Sequence, residues 1–218
     1  MRRRAAVLFL ITATAVSSAA CRPEGRGLII LCAGDSLTEG GYPPFLRRML
    51  QREGVLVRVG NYGRSGAASG EYLSFLMENE DRFKEERPDI VLITLGTNDV
   101  RTDHDSTPTE VFRQNLLAII ERFRTFRSRG GRIPRIMLST IPPVPPDDLP
   151  NFNAGSARRV EAEINPAIRE IANAAGIPLV DHHTALAARP DLLPGVHPSS
   201  EGYRLMAETW RKAIPKVF

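Results

Sequence analysis

An apolar run that ends abruptly in a small polar turn constrains the fold of this chain most. Residues 28–33 read Leu-Ile-Ile-Leu-Cys-Ala and lead directly into Gly34-Asp35-Ser36. A short apolar run followed by turn residues is typical of a strand that is buried on both faces of a parallel sheet. In such sheets, ligands bind at the carboxyl ends of the strands. Ser36 therefore lies at the position of a candidate nucleophile.

The rest of the chain alternates between strand patterns and helix patterns. The four further predicted strands cover residues 55–59, 89–95, 136–140 and 177–181. Strands that alternate with helices predict a parallel sheet with helices on both faces. We therefore expect a single flavodoxin-like domain, a three-layer α/β/α sandwich with five strands in the order 2-1-3-4-5.

Several helix boundaries can be predicted from capping residues. Thr107 is expected to cap a helix with Pro108 at its first position, and Gly130-Gly131 is expected to end it. A second helix is predicted from about residue 69 to residue 86, and a third is expected to be kinked or broken at Pro166. The arginines near the end of the first helix are interpreted as a solvated face rather than a binding patch. They are Arg122, Arg124, Arg127 and Arg129.

The first twenty residues resemble an export signal. Arginines at positions 2–4 precede a short apolar stretch and a small-residue cleavage zone, and Cys21 follows directly. A cysteine there is typical of bacterial lipoproteins, although Ser18 stands where a large aliphatic residue is expected. We predict a signal at 1–20, a linker at 21–27 and a single folded domain at 28–218. The protein is then periplasmic, secreted or anchored to the cell envelope through a lipid on Cys21.

Charge and cysteine content narrow the class of protein. Removing the signal, with its three arginines and no acid, lowers the net charge from +4 to +1. With so small a charge and no aromatic-interleaved basic run, we expect no nucleic-acid partner. Cys32 is expected to be a small core residue, so a disulfide framework is not predicted.

Residues suited to acyl transfer follow different predicted strands. Ser36 follows the first strand, Gly66 the second, Asn98 the third and His197 the fifth. Because parallel strands open on the same edge of the sheet, these residues can converge there. They supply a hydroxyl nucleophile, an imidazole base, and donors for an oxyanion from the Ser36 and Gly66 amides and the Asn98 side chain. Glycine is expected at position 66 because a side chain would crowd the approaching carbonyl.

Four sequence blocks together resemble those of the GDSL, or SGNH, hydrolase family. They are Gly34-Asp35-Ser36-Leu37, Ser65-Gly66, Gly96-Thr97-Asn98-Asp99 and Gly195-Val196-His197-Pro198, and they occur in the family's order. The resemblance implies hydrolysis of carboxylic esters through an acyl-serine, without a metal or other cofactor. It also implies that Ser36 attacks the ester, that His197 is the base, and that Gly66 and Asn98 help to form the oxyanion hole.

The chain departs from the family at the third member of the triad. The family has an aspartate three residues before the histidine, and Pro194 stands there in this chain. Three interpretations remain open. Asp191 reaches the imidazole from one turn earlier, a backbone carbonyl of residues 192–195 accepts its proton, or the site is impaired.

The other polar clusters are interpreted as structural. His182 and His183 are expected to point in opposite directions on an extended chain, so a metal site is not predicted. The run Asp103-His104-Asp105 is expected to form a solvated loop at the rim of the site. Asp35 and Asp99 are expected to hold their own turns, and Asp181 is also interpreted as structural.

The sequence therefore predicts an exported serine esterase that acts on small or accessible acyl groups. A carbohydrate O-acetylesterase and a lysophospholipase are alternatives within the same fold. The partner is expected to be a small-molecule, glycan or lipid ester. A rival function is a glycan- or surface-binding module that keeps the crevice but has lost turnover.

Overall fold

A computed structural model describes residues 27–103, 106–144 and 151–215. The predicted export signal and Cys21 lie outside the described residues. Within these ranges, no helix combines the length and the hydropathy that are needed to cross a membrane.

Five parallel strands form one sheet in the order β2-β1-β3-β4-β5. The strands are β1 (Leu28–Gly34), β2 (Val57–Gly63), β3 (Ile90–Thr94), β4 (Arg135–Ser139) and β5 (Leu179–Val180). In the centre of the sheet, Cys32 pairs with Asn61 of β2 and with Leu92 of β3. The predicted strand order and the flavodoxin-like fold are confirmed.

Helices cover both faces of the sheet. They are α1 (Ser36–Glu39), α2 (Pro43–Arg52), α3 (Ser69–Glu78), α4 (Glu80–Glu85), α5 (Thr109–Arg124), α6 (Ala154–Arg159), α7 (Asn165–Ala174), α8 (His182–Ala187) and α9 (Ser200–Ala213). Short 3-10 turns occur at Asn98–Val100 and Pro190–Leu192, and a π-helical turn occurs at Val160–Ile164.

Alternate residues of the central strands point into two separate cores. Leu31 and Ala33 pack with α3, α5 and α7, whereas Ile30 and Cys32 pack with α2 and α9 on the other face. This two-sided burial explains the unbroken apolar pattern of β1. Cys32 is a buried free thiol, and burial raises its pKa to about 12.

Three of the predicted helices differ from those observed. Helix α5 begins at Thr109 with Pro108 as its cap, and it ends at Arg124, well before Gly130-Gly131. The predicted helix of residues 69–86 is divided at Asn79, whose side chain donates to the carbonyl of Phe75 and competes with the backbone. The predicted break at Pro166 takes the form of the π-helical turn, after which Pro166 lies in the first turn of α7.

His182 and His183 begin helix α8, so the extended conformation predicted for them was wrong. The helix starts here because the Asp181 carboxylate caps it, accepting the Thr184 amide at 3.0 Å. His183 Nε2 lies 2.8 Å from Glu161. His182 is fully buried beside Trp210, its Nδ1 is 2.7 Å from Thr209 Oγ1, and burial lowers its pKa to about 3.

The buried His182 predicts an acid-sensitive stability. Its folded pKa of about 3 lies below the value of about 6.5 for an unfolded chain, so below that value the unfolded state binds the extra proton. We expect the free energy of unfolding of the wild type to fall relative to that of His182→Asn by about 1.4 kcal/mol per pH unit as pH drops below about 6.5. Urea unfolding of both proteins at several pH values measures this difference, in which groups common to both cancel. If the free energies of unfolding of the two proteins changed with pH in parallel, His182 would not be buried in its neutral form.

Candidate active site

Ser36 is held at the end of β1 by a tightly packed turn. A Cβ added to Gly34 would lie 2.0 Å from the Thr94 carbonyl oxygen, so only glycine fits there. The next residue, Asp35, caps α1 by accepting the Leu37 amide at 2.9 Å. Burial raises the pKa of Asp35 to about 6. The expectation that Asp35 holds its own turn therefore agrees with its contacts.

His197 reaches Ser36 from the loop that precedes α9. Ser199 fixes the end of this loop, because its hydroxyl caps α9 and its amide donates to the Leu192 carbonyl at 2.8 Å. The His197 Nε2 atom lies 2.8 Å from Ser36 Oγ, a hydrogen bond between residues that are 161 positions apart. This geometry suits removal of the serine proton by the imidazole.

Three N–H donors lie on the loops around this pair. Neither the Ser36 amide nor the Gly66 amide donates to another group within the described ranges. The buried Asn98 side chain donates one of its two amide hydrogens to the Ala67 carbonyl at 3.0 Å. The second hydrogen of Asn98 and the two backbone amides are therefore available to an oxyanion.

The backbone conformation gives a reason of its own for glycine at position 66, whereas the expected crowding of a substrate carbonyl stays a prediction. A Cβ added there would meet no protein atom within 4 Å, and the residue has φ of +76°. This left-handed conformation, which side chains disfavour, accounts for the glycine without any protein contact.

Asp99 does not hold its own turn but joins the two loops that carry Gly66 and Asn98. Its carboxylate accepts the Ser69 amide at 3.0 and 3.1 Å and the Ser69 hydroxyl at 2.6 Å. Burial raises the pKa of Asp99. Arg159 supports the same region by donating to the Asp99 carbonyl at 2.6 Å. No local sequence pattern indicates these contacts, because they connect residues 30 and 60 positions apart.

Ser36 and His197 open into a cleft of about 500 Å³. The cleft is lined by Ser36, Ser65, Gly66, Asn98, Asn151, Phe152, Pro194, Gly195, Val196 and His197. Sequence reasoning missed Asn151 and Phe152, which lie on the connection between β4 and α6. That connection carries neither strand nor helix periodicity, so no pattern relates it to the site.

Asp191 does not contact His197 in the structure. Its exposed carboxylate binds the Arg189 guanidinium through two hydrogen bonds of 2.8 and 2.7 Å, and this pairing lowers the pKa of Asp191. Throughout the described residues, His197 Nδ1 has neither a carboxylate nor a carbonyl as acceptor. The Leu192 carbonyl, one of the alternatives, accepts the Ser199 amide instead.

The remaining polar residues lie apart from Ser36. Asp181 binds Arg169 and caps α8, which agrees with a structural role. Asp103 pairs with Arg101, whereas His104 and Asp105 lie outside the described residues. In the part of the chain that is described, no three or more histidine, cysteine or acidic side chains cluster as metal ligands do.

Known proteins with related sequences are esterases. A multidomain esterase of Ruminococcus flavefaciens is 28% identical, over 95% of this chain and 31% of that protein. An acetylxylan esterase of Xylanibacter ruminicola is also 28% identical, over 88% of this chain and 44% of that protein. The chain thus spans less than half the length of either relative.

Solved structures share the fold. A lipase/acylhydrolase from Enterococcus faecalis has a TM-score of 0.69 at 25% identity, over 85% of this chain and 94% of that one. A catalytic mutant of an acetylxylan esterase from Geobacillus stearothermophilus has a TM-score of 0.71 at 19% identity, over 87% of this chain and 94% of that one.

The sequence model of the GDSL-like Lipase/Acylhydrolase family matches residues 32–205, which include the serine turn, the Gly66 and Asn98 loops, and His197. The chain therefore belongs to the GDSL-like lipase/acylhydrolase family.

Proposed function

We propose that this protein is an exported serine esterase that hydrolyses carboxylic esters through an acyl-serine intermediate. The observation that carries the proposal is the 2.8 Å hydrogen bond between Ser36 Oγ and His197 Nε2 at the open end of the sheet. Esterase relatives and family membership support the same chemistry.

The reaction follows from the position of each group. His197 Nε2 takes the Ser36 proton as Oγ bonds to the ester carbonyl carbon, and the carbonyl electron pair moves onto oxygen. The amides of Ser36 and Gly66 and the Asn98 side chain stabilise that oxyanion. As the tetrahedral intermediate collapses, the bond to the alcohol breaks, and His197 returns the proton to the leaving oxygen. Water, deprotonated by His197, then attacks the acyl-serine carbonyl. As this second tetrahedral intermediate collapses, the bond to Ser36 Oγ breaks, His197 returns the proton to Oγ, and the acid is released.

Ser36 and His197 act as a dyad in this proposal. The Asp191 carboxylate is bound to Arg189, and no described group accepts from His197 Nδ1. A dyad lacks the negative charge that stabilises an imidazolium, so its turnover is expected to be lower than that of a complete triad.

Carbohydrate acetyl esters are the proposed substrates. One curated relative is an acetylxylan esterase, and the cleft of about 500 Å³ is open. An open cleft accommodates the sugar on the alcohol side of the ester, whereas a long acyl chain gains affinity from an enclosed apolar channel. A lysophospholipase remains the alternative with the opposite preference for acyl length.

A non-catalytic glycan-binding module is the second candidate function. It is favoured by one observation, the lack of a described acceptor for His197 Nδ1 where the family has an aspartate. Such a module would use the same cleft without turnover.

The proposed domain organisation places an export signal at 1–20, a linker at 21–27 and the hydrolase domain at 28–218. In this proposal Cys21 is the first residue of the exported chain and carries a lipid.

Replacing Ser36 tests the enzyme function directly. Ser36→Ala and His197→Ala are each expected to abolish hydrolysis of p-nitrophenyl acetate, since they remove the nucleophile and the base, with circular dichroism unchanged. The wild type is expected to prefer acetyl over longer acyl groups and to deacetylate xylooligosaccharides. A wild type that is as inactive as Ser36→Ala but still binds glycan would identify the binding module instead.

Asn98→Ala is expected to lower kcat by about 10²–10³, since it removes an oxyanion donor that acts mainly in the transition state. The matched control is Asn173→Ala, on the exposed side of α7, which should leave kcat unchanged. Steady-state kinetics separate kcat from KM. An unchanged kcat for Asn98→Ala would exclude Asn98 from the oxyanion hole.

Asp191→Asn is expected to leave kcat within about threefold of the wild-type value, because the carboxylate binds Arg189 rather than His197. A fall approaching the roughly 10⁴-fold loss that the same change causes in trypsin would make Asp191 the third triad member. Pro194→Asp provides the complementary variant and is expected to raise kcat, since it places an acid three residues before His197.

A further inference from the structure

The sheet edge opposite the cleft carries a concentrated positive charge. We call it the basic edge and define it by five exposed arginines on the connections that enter β3 and β4. They are Arg87, Arg127, Arg129, Arg132 and Arg135. Within the described ranges, none of the five forms an ion pair with a carboxylate. Arg122 and Arg124, the other two arginines of the predicted solvated face, pair with Glu80 and Glu121.

Backbone carbonyls, rather than acids, position three of these guanidinium groups. Arg129 donates to the Gly27 carbonyl, and Arg87 donates to the Arg129 carbonyl at 3.3 Å. Arg127 binds carbonyls at the end of α5, including that of Phe126 at 2.7 Å. Arg132 and Arg135 make no side-chain hydrogen bond to any described residue. The carbonyls orient the side chains but leave their charge uncompensated.

The acids of this edge offset only part of that charge. Glu86 binds Arg58 and the Tyr62 hydroxyl, and Asp89 accepts the Ile29 amide at 2.9 Å. Glu85, the last residue of α4, is exposed and has no partner among the described residues. Because the amide donor of Asp89 is neutral, Asp89 and Glu85 both keep a negative charge, and the five arginines leave the basic edge with a positive balance.

Two exposed aliphatic side chains lie among these arginines. Leu56 is 68% exposed and adjoins Gly27, and Ile133 is 55% exposed between Arg132 and Arg135. They are two of the five large hydrophobic side chains that the described residues expose. Basic residues beside exposed aliphatic ones are typical of surfaces that lie in the headgroup region of a membrane.

We propose that the basic edge binds the surface of an anionic bilayer, with arginines on lipid phosphates and with Leu56 and Ile133 in the interface. Gly27, where the described chain begins, lies on this edge through its contact with Arg129. The six residues 21–26 extend at most about 20 Å, so a lipid on Cys21 and the basic edge would engage the same bilayer. The basic edge would add an electrostatic attachment to that lipid anchor.

This orientation determines which esters can reach the cleft. This part of the inference rests on the proposed esterase function. Because all strands are parallel, the basic edge and the cleft lie at opposite ends of the sheet. The seven residues of β1 separate the two ends by roughly 23 Å. The cleft then faces away from the bilayer, so the site would act on esters outside the membrane rather than on its lipids.

Vesicle sedimentation with the full chain tests the proposal. The probes are phosphatidylcholine vesicles with and without phosphatidylglycerol, at low and high salt. The variant Arg132→Glu/Arg135→Glu is expected to reduce binding to the anionic vesicles by about tenfold or more and to leave binding to neutral vesicles unchanged. Ile133→Ser is expected to reduce binding at both salt concentrations, since its contribution is apolar.

The control variant Arg47→Glu/Arg158→Glu carries the same change in net charge on α2 and α6. The proposal would be overturned if the two double variants lost binding to anionic vesicles equally. It would also be overturned if the wild type bound anionic and neutral vesicles equally well. Tighter binding to soluble polyphosphate than to vesicles, with no effect of Ile133→Ser, would overturn the lipid assignment. The rate of p-nitrophenyl acetate hydrolysis should be equal in the wild type and both double variants. A loss of vesicle binding can therefore be distinguished from a loss of esterase activity.

Discussion

Burial of β1 on both faces is the constraint on which the rest of the structure depends. All seven of its residues are buried, and the strand lies between β2 and β3 at the centre of the apolar sheet. A strand in that position cannot shift register without moving side chains out of both cores. Packing therefore fixes its carboxyl end, and the Asp35 cap on the Leu37 amide then holds the turn that carries Ser36.

The loops around Ser36 need a different kind of support, because they bury little apolar surface. Asp99 accepts two hydrogen bonds from the Ser69 backbone and hydroxyl groups, and Asn98 donates to Ala67. A buried carboxylate is costly unless it is hydrogen-bonded, so this contact holds only in one arrangement of the two loops. The loops that carry Gly66 and Asn98 are thus oriented by polar contacts, whereas the position of Ser36 depends mainly on the apolar core.

The common direction of the strands separates the two ends of the molecule. Their carboxyl ends carry Ser36, Gly66 and Asn98, while their amino ends carry the arginines that lead into β3 and β4. The proposed ester hydrolysis and the proposed membrane binding therefore use different residues at opposite ends of the sheet. A parallel sheet therefore allows the protein to be held at one edge while the opposite edge stays open to substrate.

The sequence by itself determined the strand order and the edge of the sheet at which Ser36, Gly66, Asn98 and His197 lie. The site positions follow from local patterns, since two-sided burial and turn residues are visible along the chain. The strand order follows from the flavodoxin-like fold that the alternation of strands and helices indicates. Only the tertiary structure decided that Asp191 pairs with Arg189, that Asp99 binds Ser69, and that Phe152 lines the cleft. The partner of a polar side chain depends on distances between loops that no periodicity encodes. Those distances are set only when the helices have packed on the sheet.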